Sequence, residues 1–166
     1  MHEAPRVGGV AEESPVYGWE SPGDLDPEHY AFVPRYDVHV SAGNGSVVYE
    51  AQEKERPQSF RLEYLQQKGL KEENLMCLTA AGDSMEPTIT DGANLLVNRG
   101  ETTVQDGKVY VIRFGSDIRV KRIYLRPDGG MTVHSDNPAF PDVDVTPDQM
   151  EHVAIIGRVV WQAGDL

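Results

Sequence analysis

Cysteine is nearly missing from this chain: Cys77 is the only one in 166 residues. No internal disulfide can form, which fits a reducing, cytoplasmic setting. Basic charge is scarce as well. The 15 Lys and Arg stand against 27 Asp and Glu, a formal net charge of −12. No basic stripe offsets that balance, so the chain as it stands is a poor ligand for DNA or for an anionic membrane surface. Long apolar runs are absent. The longest, such as Val153-Ala154-Ile155-Ile156 and Val159-Val160-Trp161, are far too short to span a bilayer. The acidic start "MHEAPRVGGVAEESP" has no hydrophobic run and does not read as a signal peptide. The histidines lack metal-ligand spacing, and a lone cysteine argues against structural zinc. No glycine-rich phosphate loop occurs, and "DGGM" reads as a turn. The expectation is therefore no metal and no cofactor.

What is present suits one compact domain with an extra arm: 39% of residues are hydrophobic. Residues 1–30 read as a flexible acidic arm or linker. Glu3, Glu12, Glu13, Glu20, Asp24, Asp26 and Glu28 face a single arginine, Arg6, and Pro5, Pro15, Pro22 and Pro27 punctuate the segment. So few apolar groups cannot offset the entropy of ordering. From residue 31 the pattern turns mostly β. "YDVHV" alternates, with Tyr36, Val38 and Val40 on one face, and "SVVYEA" resumes a strand after a loop at "SAGNG". "PQSFRLEYLQQKGL" is the one helix candidate, capped by Ser59, with Phe60, Tyr64 and Leu65 on a shared face and Gly69 as its stop. Further strands are expected in "LMCLTA", "NLLVNR", "KVYVIRF", "DIRVKRIYL", "MTVHS" and "VAIIGRVVWQ". Gly115-Ser116-Asp117 reads as a hairpin loop, and Asp91-Gly92, Asp106-Gly107 and Asp128-Gly129-Gly130 as turns. Many short strands with regular turn signals predict a mainly β fold, a compact barrel or folded sheet with one short helix.

The stretch that raises a chemical question is "GDSMEP", residues 82–87. It reads either as a structural turn or as the seat of a nucleophile, Ser84. Backbone N–H groups in such a turn, at Asp83, Ser84 and Met85, can receive a developing oxyanion. Serine needs a base. His2 and His29 lie in the arm, His39 is near the other loop, and His134 and His152 have no catalytic signature around them. Lys121 in "DIRVKRIYL" is the alternative, on the strand face shared by Ile123 and Leu125. An apolar face desolvates an ammonium; moving lysine from about 10.4 to about 7–8 costs roughly 3–5 kcal/mol. By local chemistry alone a segment such as "GDSMEP" is more often a structural turn, and a strand lysine beside arginines is more often on a solvated face. Cys77 reads as a small buried hydrophobe rather than as a partner of His134.

The ordered elements "GDSMEPTITDG", "VYVIR", "RVKRI", "SDNPAFP" and "IIGRVVW" resemble the self-cleaving peptidase domain of LexA-like, phage-type and pyocin-type transcriptional repressors. The resemblance covers residues 31–166. It implies a serine–lysine dyad of Ser84 as nucleophile and Lys121 as general base, with self-cleavage at Ala42-Gly43 in "VHVSAGNG", Val38 and Val40 anchoring that loop in the cleft. It implies residues 31–57 as the cleavage-site region and 58–166 as the autopeptidase and dimerisation domain. It also implies a homodimer, and a RecA–single-stranded DNA filament as co-protease in the SOS response to DNA damage. The apolar "VAIIGRVVWQ" is expected to offer a sheet edge to a twofold mate. Two departures stand out: Asp91-Gly92-Ala93 replaces the family's Asp-Gly-Asp, and no helix-turn-helix precedes the domain. Operator DNA would then be read only through a domain absent from this chain. Rival readings are a type I signal peptidase, which needs a membrane anchor, a non-catalytic dimerisation or sensor module, and a substrate cut only in trans.

Overall fold

The computed structural model describes residues 18–43, 46–53, 56–115 and 117–165, giving the backbone alone for 37–43 and 46–53. In chain order the elements are β1 (Tyr30–Val33), β2 (Arg35–Gly43), β3 (Ser46–Glu53), β4 (Gln58–Arg61), α1 (Leu62–Gln67), β5 (Leu75–Thr79) and β6 (Asn94–Asn98). There follow β7 (Lys108–Phe114), β8 (Asp117–Leu125), β9 (Met131–His134), β10 (Val143–Val145) and β11 (Val153–Ala163). The mainly β expectation is met. Nine strands form one sheet in the order β10-β9-β8-β7-β11-β6-β5-β2-β3, and β1 pairs with β4 beside it. Every pairing is antiparallel except the short β2–β5 contact at Arg35↔Cys77 and Tyr36↔Leu78.

Two local expectations are corrected. Residues 58–61 are a strand, not the start of a helix, because Phe60 pairs with Ala31 across β1 and is buried there. Ser59 therefore caps nothing. The helix that remains, α1, does stop at Gly69: its φ is +67°, and the Leu70 and Gly69 amides donate back to the Leu65 and Gln66 carbonyls. Ser41 to Gly43 are strand rather than loop, since β2 runs on to the pairs Ala42↔Val47 and Gly43↔Ser46; Asn44 and Gly45 lie outside the described residues. β11 lies between β7 and β6 in the sheet order, pairing with β7 over residues 153–158 and with β6 over residues 158–163, so that only Arg158 is paired on both sides. The outer strands of that sheet are β10 and β3.

Long β11 is accommodated by register shifts at Ile155/Gly157 and Val159/Trp161. A Cβ at Gly157 would sit 2.6 Å from the Asn98 carbonyl oxygen, so only glycine fits that bulge. Three apolar clusters fill the interior. β1, β4 and α1 cover one through Ala31, Phe60, Leu65, Cys77 and Leu96. A second joins Tyr110, Ile112, Ile123, Met131 and Val133. The third, Met76, Leu78, Met85, Ile89, Leu95 and Val111, underlies the segment between β5 and β6. Most of the acidic arm falls outside the described residues; in residues 18–29, Trp19 packs on Phe32 with ring centroids 5.8 Å apart. Among the described residues no helix is long and apolar enough to cross a membrane.

Candidate active site

Ser84 stands on the segment that links β5 to β6. Met85, Ile89 and Ala93 anchor that segment in the core, each no more than 3% exposed. Gly82 turns the chain with φ +85°, and its amide donates to Asp91 Oδ1 at 2.7 Å. Asp91-Gly92-Ala93 keeps the turn shut: the Gly92 amide donates to the Ala80 carbonyl, and the Ala80 amide to the Ala93 carbonyl. Glu86 and Ile89 close successive turns onto the carbonyls of Asp83 and Met85. Anchored at its apolar positions and turned by Gly82, the segment holds Ser84 at the lip of the core.

Lys121 comes from β8, 37 residues later, and its Nζ lies 2.5 Å from Ser84 Oγ. β8 pairs with β7 over residues 117–123, which sets Lys121 opposite the fully buried Tyr110. Lys121 is only 9% exposed. Ile123 on its face is buried, whereas Leu125 is 52% exposed, so the apolar face ends sooner than the alternation predicts. Among the described residues no carboxylate lies within ion-pair reach of Nζ. Burial pushes the ammonium below the ordinary lysine value of 10.5; the Arg119 guanidinium adds to this, and Asp136 opposes it. Arg122 offsets Asp136, donating from Nε and Nη2 to its two carboxylate oxygens at 2.8 and 2.5 Å. That pairing holds the Asp136 carboxyl below its usual range.

A cavity of about 550 Å³ opens over the pair. Leu78, Ile89, Val111, Val120 and Val133 line it, with Ser135 and Arg119 as further polar groups. Phe140 and Val143 form part of its wall and stay 39% and 37% exposed. The amides of Asp83, Ser84 and Met85 engage no hydrogen bond among the described residues. Ala42 and Gly43 end β2, whose backbone approaches that of β8. Val38, Val40 and His39 contribute backbone only to the description.

The other candidates lie elsewhere. Cys77 is 2% exposed in the cluster under α1, and burial pushes its thiol up to about 12. His134 Nδ1 pairs with Asp142 Oδ1 at 2.6 Å. His29 meets Asp26, and His152 meets Glu151. Among the described residues no His, Cys, Asp and Glu gather into a set able to hold a metal ion. One residue was passed over in the sequence. Asn137, in "SDNPAFP", donates its backbone amide to the Ser84 carbonyl at 3.1 Å and its side-chain Nδ2 to the Asp83 carbonyl at 3.0 Å. Its segment entered the sequence reading only as one element of the family resemblance, with no role for the asparagine, and an Asn-Pro pair by itself reads as a turn.

A family model described as Peptidase S24-like matches residues 34–160. The chain is 31% identical over 150 residues to the HTH-type transcriptional regulator PrtR of Pseudomonas aeruginosa, covering 89% of this chain and 58% of that protein. It is 30% identical over 157 residues to Repressor protein CI of Enterobacteria phage phi80, covering 91% of this chain and 63% of that protein. A LexA repressor of Cupriavidus pinatubonensis is 41% identical over 63 residues, 38% of this chain and 28% of its own length. The chain thus spans less than two thirds of the length of these curated relatives.

Proposed function

The chain belongs to the Peptidase S24-like family, and from that premise we propose that it is the self-cleaving domain of a phage- or pyocin-type transcriptional repressor. Ser84 is the nucleophile, Lys121 the general base, and Ala42-Gly43 the scissile bond. The observation that carries this reading is the 2.5 Å contact between Ser84 Oγ and a buried lysine whose ammonium is disfavoured. A structural lysine would have a carboxylate partner or open solvent. This one has a serine hydroxyl and an apolar cavity.

In the neutral form Lys121 accepts the hydroxyl hydrogen of Ser84. Oγ attacks the Ala42 carbonyl carbon while the proton moves to Nζ. The oxyanion faces the Ser84 amide and a neighbouring amide, at Asp83 or Met85. When the tetrahedral intermediate collapses, the C–N bond breaks and Nζ–H delivers its proton to the leaving amine of Gly43. Lys121 then deprotonates a water that releases the acyl group from Oγ. Substrate and catalyst share one chain, so effective concentration is high and a control is needed. That control is the docking of the β2–β3 hairpin together with the charge on Lys121. A RecA–single-stranded DNA filament formed after DNA damage favours the docked hairpin. In a longer repressor, cleavage would part a DNA-reading domain from a homodimerising one and lower operator occupancy through lost avidity.

The test compares intact masses of wild type and Ser84→Ala during incubation at alkaline pH. Wild type should yield two fragments, one ending at Ala42 and the other beginning at Gly43, and Ser84→Ala none. Equal cutting in both chains refutes the assignment.

A further inference from the structure

We propose that Asn137 is the positioning residue of the nucleophile: it clamps both peptide groups that flank the Ser84 Cα and thereby aims the serine hydroxyl and the amides beside it. This rests on the reading of Ser84 as nucleophile. The Asp83–Ser84 peptide presents its carbonyl to Asn137 Nδ2 at 3.0 Å. The Ser84–Met85 peptide presents its carbonyl to the Asn137 backbone amide at 3.1 Å. In a planar trans peptide the C=O and N–H point in opposite directions. Tying both carbonyls to one residue therefore turns the Ser84 and Met85 N–H groups away from Asn137, and both are free of partners among the described residues. Fixing both planes also fixes the backbone angles at Ser84 and hence where its Cβ–Oγ bond starts.

The clamp is itself held. Asn137 Oδ1 accepts from the Ala139 amide at 3.0 Å, and its carbonyl accepts from the Phe140 amide at 3.0 Å. These bonds fix which end of the side-chain amide faces Asp83: the reverse orientation would set oxygen against the Asp83 carbonyl and NH₂ against the Ala139 N–H. Asp136, the preceding residue, is gripped by Arg122 of β8, the strand that carries Lys121. Nucleophile turn and base are thus referenced to the same strand by two routes: Lys121 directly, and Arg122 through Asp136 and Asn137. A near-attack geometry depends on that reference, and displacement by about 1 Å costs on the order of 100-fold in rate.

The experiment follows self-cleavage of the full chain by intact mass from pH 7 to 10.5 for wild type, Ser84→Ala, Asn137→Ala and Asn137→Asp, with thermal unfolding of each. Asn137→Asp keeps the volume and the acceptor for Ala139 but turns the donor facing Asp83 into an acceptor, so it guards against a folding failure of the alanine variant. Both variants should lower the alkaline plateau rate by about 10- to 100-fold, and Asn137→Ala should leave the pH midpoint at the wild-type position. A purely structural role would show as lost folding with the plateau restored wherever the chain is folded. A plateau within twofold of wild type in a folded variant overturns the clamp, and so does a loss in Asn137→Ala that consists only of a shifted midpoint. If Ser84→Ala cuts like wild type, or wild type never cuts, the nucleophile assignment falls and the clamp with it.

Discussion

Replacing Lys121 by methionine should end self-cleavage and make the protein more stable. Methionine has nearly the same length and volume, so the cavity wall keeps its shape. What disappears is an ammonium that is 9% exposed and unpaired with any described carboxylate. A buried charge carries an effective penalty of several kcal/mol, and the hydrogen bond to Ser84 returns only about 1 kcal/mol. The net gain should be about 1–3 kcal/mol at neutral pH, about 3–10 °C in melting temperature for a chain of this size. The pH dependence has a definite sign. The folded-state pKa of Lys121 is lowered below 10.5. Below that lowered value both states hold the proton, and the full penalty stands. Between it and 10.5 the unfolded chain binds the extra proton, so the stability of the lysine protein rises with pH. The gap between lysine and methionine chains should therefore narrow across that window. Urea unfolding from pH 7 to 10.5 in a Ser84→Ala background measures it; that background keeps the chain whole and also removes the Ser84 hydrogen bond, so the gap there should be larger by about 1 kcal/mol. A methionine variant less stable at every pH, or a gap that does not change with pH, would refute a buried and strained ammonium.

Gly43→Val should slow cleavage sharply with little change in stability, since a β-branched side chain crowds the approach of Ser84; intact-mass time courses at alkaline pH read both product and rate. Arg122→Gln leaves Asp136 without its bidentate partner, so Asp136 pulls harder on the Lys121 ammonium; the rate midpoint should move to higher pH, and an unmoved midpoint contradicts the charge balance described here. Gly157→Ala places a Cβ 2.6 Å from a backbone carbonyl oxygen and should destabilise by about 2–4 kcal/mol in urea titration, with no compensating contact available.

Much of this arrangement is legible in the chain. "KVYVIRF" and "DIRVKRIYL" match β7 and β8 to the residue, because Asp106-Gly107 and the Gly115 turn bound them and their apolar positions recur with the strand period. The misreadings have physical causes. Residues 58–61 hold one large apolar side chain, Phe60, and the strand there exists only through its distant partner β1, which local pattern cannot see. Gly43 and Asn44 signal a turn, yet hairpin pairing carries β2 through Gly43 before the chain reverses. β10 is three residues long, too short for any period to register. A turn and an alternation made Ser84 and Lys121 candidates and the family resemblance selected them, but their 2.5 Å contact arises from how the β5–β6 segment lies against β8. Asn137 was invisible because its two partners are main-chain carbonyls 54 and 53 residues earlier, and carbonyls leave no mark in a sequence.

The central claim is that a neutral Lys121 activates Ser84 against the bond after Ala42. The pH–rate profile of self-cleavage, read by product mass, tests it most directly. The rate should rise with pH to a plateau, with its midpoint below the ordinary lysine value of 10.5, and the fragments should end at Ala42 and begin at Gly43 throughout. A rate that does not vary between neutral and strongly alkaline pH, in a chain that stays folded, would contradict lysine as the base.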